Sequence, residues 1–155
     1  MAVKSGPMLP GGKRADLAFS SDEGWTYVEV KTRTKCTSKR KGSVSSFRQG
    51  LLREISRLTA HSLEQLPKKE PSLVVLVTSV CPDRREAVSK IAIARSFTKR
   101  IFDHDSQKLL GLMIFAPFRA RGEEQSSWKY ASALILNPNW KAQHGSFDKL
   151  ARIQL

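Results

Sequence analysis

The run Ser72-Leu-Val-Val-Leu-Val-Thr-Ser-Val80 limits what this chain can fold into more than any other stretch. It is continuous rather than alternating and rich in valine, and a break at Pro67 to Pro71 precedes it. Such a run reads as a buried strand in the middle of a sheet. Cys81-Pro82-Asp83 ends it. Asp83 can cap a helix that reaches to about Phe102, with Val88, Ile91, Ala94 and Ile101 turned inward. Lys108 to Ala116 is the next strand. A strand, a crossover helix and a second strand imply a parallel pair. Residues 117–127 are polar and charged and read as a loop. Trp128 to Leu136 is a further strand, closed by Asn137-Pro138-Asn139.

Upstream lies a hairpin with an unusual charge pattern. Arg14 to Phe19 and Trp25 to Lys31 alternate or run apolar, as half-buried strands do, and the residues between have turn composition. With Ser21–Gly24 as the loop, Ser20 faces Trp25 and, counting outward, Asp16 faces Glu29. Directly opposed residues of an antiparallel pair have Cβ atoms about 4.5–5.5 Å apart, and like charges there repel. A divalent cation between the carboxylates removes that repulsion. Lys31, two residues past Glu29, points to the same face. A hard cation held by carboxylate oxygens beside an ammonium suits phosphodiester hydrolysis. The competing reading is a surface hairpin with a cross-strand acid pair and one lysine, which explains the alternation but not the opposed acids.

The order Asp16, then Glu29-Val30-Lys31, resembles the PD-(D/E)XK nuclease superfamily, over about residues 13–55. Ala15 stands where a proline often precedes the aspartate. The resemblance implies an α/β restriction-endonuclease-like fold, a central mixed β-sheet flanked by helices. It also implies Mg²⁺ (or Mn²⁺) held by Asp16, Glu29 and the Val30 carbonyl. Lys31 then orients the attacking water or stabilises the pentavalent charge. A glutamine on the helix after the lysine strand is common in RecB-like members, and Gln49 is the candidate here. DNA is the implied substrate, and a homodimer is the simplest way to cut both strands. One departure stands out: many members have an acid-bearing helix before the first strand. Only 15 residues precede Asp16, rich in Gly and Pro and without an acid. Either the domain does without that helix or the chain is a piece of a longer one. Glu54 or Glu64 are alternative sources of a third acid.

Charge agrees with a polyanionic partner. Lys and Arg number 27 against 14 acids in 155 residues, a net charge of +13. Residues 32–53 carry Arg33, Lys35, Lys39, Arg40, Lys41, Arg48 and Arg53 and no acid. Thr34 to Ser46 reads as a loop. A helix starts near Ser45 or Ser46, with Phe47, Leu51, Ile55 and Leu58 on one stripe and Gln49 and Arg53 on the far side. Arg119 and Arg121 are further phosphate-contact candidates. Residues 1–13 read as an irregular arm and 140–155 as a basic, weakly patterned tail, so the whole 1–155 is one domain.

Several chemistries find no support. Cys36 and Cys81 lack metal-ligand spacing and read as free thiols of a reducing cytoplasm. His61, His104 and His144 are scattered, and Asp103-His104-Asp105 reads as a polar helix end. There is no Gly-x-x-x-x-Gly-Lys loop and no Gly-x-Ser-x-Gly elbow. No apolar run has the length of a membrane span, and no signal-peptide core follows Met1. A DNA endonuclease, an RNA-cleaving nuclease or toxin domain, and a non-catalytic basic nucleic-acid-binding module remain. Opposed acids favour catalysis, because a binder gains nothing from two carboxylates facing its polyanion.

Overall fold

A computed structural model describes residues 2–9, 12–21, 24–32, 44–67, 70–105, 109–120 and 127–138. Its elements, in order, are β1 (Val3–Ser5), β2 (Leu17–Ser21), β3 (Gly24–Thr32), α1 (Val44–Gln65), β4 (Ser72–Val77), α2 (Arg84–Asp105), β5 (Leu109–Arg119) and β6 (Trp128–Leu136). The six strands form one sheet in sequence order. β1, β2 and β3 make an antiparallel meander, β3, β4 and β5 run parallel, and β6 returns antiparallel to β5. This is the mixed α/β sheet expected, with helical crossovers linking the parallel strands.

Both helices lie on one face. α1 packs on β3 and β4, α2 packs on β5 and β6, and the helices touch each other. Two successive right-handed crossovers that step the same way along a sheet place their helices on the same side. The core is made where they meet the sheet. Leu51, Ile55, Ile91, Ala94 and Phe102 from the helices close on Val74, Leu76, Leu112, Ile114 and Ala133 from the strands. Val74 pairs with Leu112 and Leu76 with Ile114, so each row across the sheet presents its apolar side chains to the same helices.

Several of the expected elements are corrected. Residues 1–13 are not wholly irregular: Val3 pairs with Phe19 and Ser5 with Leu17, and Met8 bridges Arg14. The first hairpin strand starts at Leu17, not Arg14. β4 ends at Val77 rather than Val80, although the chain still follows β5, with Thr78 N–H donating to the Phe115 carbonyl (2.9 Å) and Cys81 N–H to that of Pro117 (2.7 Å). β5 runs on to Arg119, through residues 117–119 that read as loop. On α2, Val88 is 50 % exposed, and Ala87, one position round the wheel, takes the inward place. Asp83 does cap that helix, its Oδ1 accepting from the N–H of Glu86 at 2.8 Å. The helix extends three residues past Phe102, to Asp105.

Cys81 is a free, buried thiol at the end of the β4 segment. Burial pushes its pKa up, and neighbouring Lys90 offsets part of that rise. Lys90 is itself buried and satisfied by the Ser79 hydroxyl (3.2 Å), the Ser79 carbonyl (3.3 Å) and Glu86 (3.2 Å). Cys36 lies outside the described residues.

Candidate active site

The hairpin register is the one the turn dictates: Ser20 pairs with Trp25 and Leu17 with Val28. The ladder stops there, one residue before Asp16 would meet Glu29. The Asp16 main chain turns instead toward the amino-terminal arm, and its carbonyl accepts from Gly6 N–H at 2.9 Å. Its side chain then completes the sheet. Asp16 Oδ2 accepts the Val30 N–H at 2.7 Å, taking the place a β2 carbonyl would have had. In an extended strand a residue's N–H and C=O point to the same neighbour. The Val30 carbonyl therefore points to the side on which Asp16 sits, past the end of β2.

Glu29 and Lys31 lie on the helix-covered face of β3. Glu29 pairs with Val74 and Lys31 with Leu76, both core residues. Glu29 is only 2 % exposed. A carboxylate so placed must be paired. Its Oε1 accepts from Lys31 Nζ, while Oε2 is buried with no hydrogen-bond partner. Leaving such an oxygen unmatched costs roughly 1–3 kcal/mol or more. Lys31 is held from a second side, donating to Gln65 Oε1 at 2.6 Å, from the last residue of α1. Beside it Lys13 Nζ donates to the Glu64 carbonyl, which ties the arm before β2 to the carboxyl end of α1. A cation there also matches the negative end of the helix dipole.

The donor set fits a hard cation. Two carboxylates and one backbone carbonyl are oxygen ligands of the kind Mg²⁺ and Mn²⁺ take together with retained waters. The orphaned Oε2 of Glu29 is the position where a cation would remove the cost of burial. Among the described residues no group of three or more His, Cys, Asp or Glu side chains converges on one point. Neither Glu54 nor Glu64 therefore adds a third acid; the Glu64 carboxylate lies 3.5 Å from His61 Nδ1 on the surface.

The other expected site residues are spread out. Gln49 is exposed near the start of α1, and the glutamine that meets Lys31 is Gln65. Sequence reasoning misses Gln65, yet a signal exists. Leu51, Ile55 and Leu58 define the inward stripe, and its continuation at the same spacing falls on Ser62 and Gln65. Arg48 and Arg53 are exposed on α1. Arg33, Lys35, Lys39, Arg40 and Lys41 lie outside the described residues, as do Arg121 and the tail from 139 onward. The side chains of Asp103, His104 and Asp105 are likewise not described. No helix among the described residues is long and apolar enough to cross a membrane.

No protein-family model and no curated protein matches the chain. Among solved structures, Pyrococcus furiosus SfsA in complex with Ca²⁺ is similar at 14 % identity and a TM-score of 0.36. The match covers 85 % of this chain and 52 % of that one, so the chain spans about half the length of that protein.

Proposed function

We propose that the chain is a metal-dependent nuclease that hydrolyses phosphodiester bonds in DNA. The observation that carries this reading is the buried Glu29, paired through one oxygen to Lys31 and orphaned at the other, next to the strand end that Asp16 closes. A purely structural ion pair has no use for an unmatched buried oxygen.

Asp16, Glu29 and the Val30 carbonyl would hold Mg²⁺ or Mn²⁺. Bound there, such an ion supplies a Lewis acid for a phosphate oxygen and a water of lowered pKa. Asp16 is kept in place by the Val30 N–H, and Glu29 by Lys31. Lys31 has three N–H donors. Glu29 and Gln65 engage two of them, and the third serves an oxygen of the scissile phosphate or the attacking water. Gln65 thereby acts as a positioning residue for the ammonium.

The test is cleavage of supercoiled plasmid, linear duplex, branched DNA and tRNA, each with Mg²⁺, Mn²⁺ or EDTA. Cleavage should need the metal. Asp16→Asn, Glu29→Gln and Lys31→Met should each slow it by about 100-fold or more, the scale on which single preorganised groups act, with the circular dichroism spectrum unchanged. Native rates in all three variants would refute the assignment. Cleavage of tRNA alone would move the substrate from DNA to RNA.

A further inference from the structure

A second site lies two strands away. The start of α2 and the β5–β6 hairpin enclose a groove of about 760 Å³, lined by Arg84, Phe115, Phe118, Arg119, Lys129 and Tyr130. β3, β4 and β5 are parallel, with Thr32, Val77 and Phe115 in one row. The groove therefore opens at the carboxyl ends of the parallel strands.

Its chemistry is of one kind. Three cations line it against one acid, and that acid is Asp83, whose Oδ1 serves the α2 amino terminus. The aromatic side chains are oriented. Tyr130 stands edge-on to Phe115, with ring centres 6.4 Å apart and planes at 88°. The Arg119 guanidinium lies 5.1 Å from the centre of the Trp128 ring. Trp128 pairs with Arg119 and Tyr130 with Pro117, so both rings project from one face of β6. They remain 48 % and 59 % exposed. A single exposed aromatic is ordinary. Two on one strand face, beside a groove lined by three cations, match the stacking platform and basic track of proteins that hold unpaired strands.

We infer that this groove binds single-stranded nucleic acid, with bases on Tyr130 and Trp128 and phosphates on Arg84 and Arg119. Residues two apart on a strand are about 7 Å apart, twice the roughly 3.4 Å per-nucleotide rise of a stacked strand. Each ring thus takes a base only from a strand whose own stack is open, which disfavours duplex. The inference does not depend on the hydrolase reading, because it concerns binding alone.

The test uses the full chain carrying Glu29→Gln, in EDTA, so that no cleavage enters. Anisotropy is measured with labelled oligothymidylate and oligouridylate of about 12 nucleotides, within the usual site size. The same-length duplex and heparin compete. Tyr130→Ala and Trp128→Ala should each weaken oligonucleotide binding on the order of tenfold, while Tyr130→Phe keeps it and heparin affinity stays unchanged. Arg84→Ala and Arg119→Ala should weaken both ligands. Oligonucleotide should quench tryptophan fluorescence, and Trp128→Phe should remove that quench. The two pyrimidine arms show whether deoxyribose or ribose strands are preferred. The inference is overturned if both aromatic variants bind oligonucleotide natively, or if they lose heparin to the same degree, since charge alone would then explain the groove. Absence of cleavage by the native chain with Mg²⁺ or Mn²⁺, with these binding effects intact, retires the hydrolase reading and leaves the groove standing.

Discussion

At Glu29 two accounts of the site diverge. In one, Glu29 and Lys31 are a buried pair that only holds β3 against α1. In the other, the pair prepares a cation site. Both require that neither partner be removed alone. Lys31→Met would leave the Glu29 carboxylate buried without its cation, and breaking a buried pair in this way costs about 3–5 kcal/mol. Glu29→Gln with Lys31→Met restores neutrality, so the double variant should be closer to native than Lys31→Met. Urea unfolding of the four proteins in EDTA measures the coupling; additive losses would show that the pair is not a unit. The accounts separate when Mg²⁺ or Mn²⁺ is added, since only a cation site raises the native melting temperature and loses that response in Glu29→Gln. Much of this site is legible in the sequence: period-two alternation and a turn signal are enough to put Glu29 and Lys31 on one face and Ser20 against Trp25. The ladder's end at Leu17 is not, because it depends on Asp16 turning to meet Gly6 across the arm. Gln65 is hidden for a different reason. The turn of α1 nearest Lys31 in sequence is not the one that meets it, because the far end of the helix returns to β3.

At the scale of elements, legibility follows how strongly burial constrains each segment. The valine-rich β4 is visible because it leaves few ways to satisfy its faces. β1 is hidden, since three exposed residues flanked by Gly6 and Pro7 carry no pattern. The last turn of β5 is hidden as well, because Pro117 and Arg119 look like loop residues. Pro117 lacks an N–H, but its carbonyl serves Cys81. Gly111 has a role that sequence alone does not reveal. A Cβ there would lie 2.5 Å from the Ile135 carbonyl oxygen and 3.2 Å from the Leu136 Cα, both backbone atoms of β6. The clash cannot be relieved by a rotamer change, so β6 itself would have to move. Gly111→Ala should therefore cost about 1–3 kcal/mol, the usual range for overpacking. Chemical denaturation checks it against Gly50→Ala, where a Cβ meets nothing within 4 Å and an alanine in a helix is favoured. Equal stabilities for the two variants would mean that β5 and β6 are not held in this register.

For the whole molecule, charge is the dominant property. A net charge of +13 favours association with any polyanion and says nothing of which face is used. Two basic sets of residues are candidates for such a partner. One is the basic segment of residues 32–53, whose Lys39, Arg40 and Lys41 follow the strand bearing Glu29 and Lys31 in the chain. The other is the groove at Arg84 and Arg119. Counterion release separates them, because each neutralised duplex phosphate adds about 0.9 to the slope of log affinity against log salt and each single-strand phosphate about 0.7. If the basic segment holds duplex DNA near the candidate active site, alanine at Lys39, Arg40 and Lys41 together should lower the duplex slope by up to about 0.9 for each phosphate no longer neutralised. The same variant should leave the oligothymidylate slope nearly unchanged. Arg84→Ala with Arg119→Ala should do the reverse. The effects should appear at all sequences alike, since phosphate contacts position a protein and do not read bases. Titrations between low and moderate salt with both ligands decide the matter. If one variant flattens both slopes equally, duplex and single strand share a single basic surface, and the two-surface account fails.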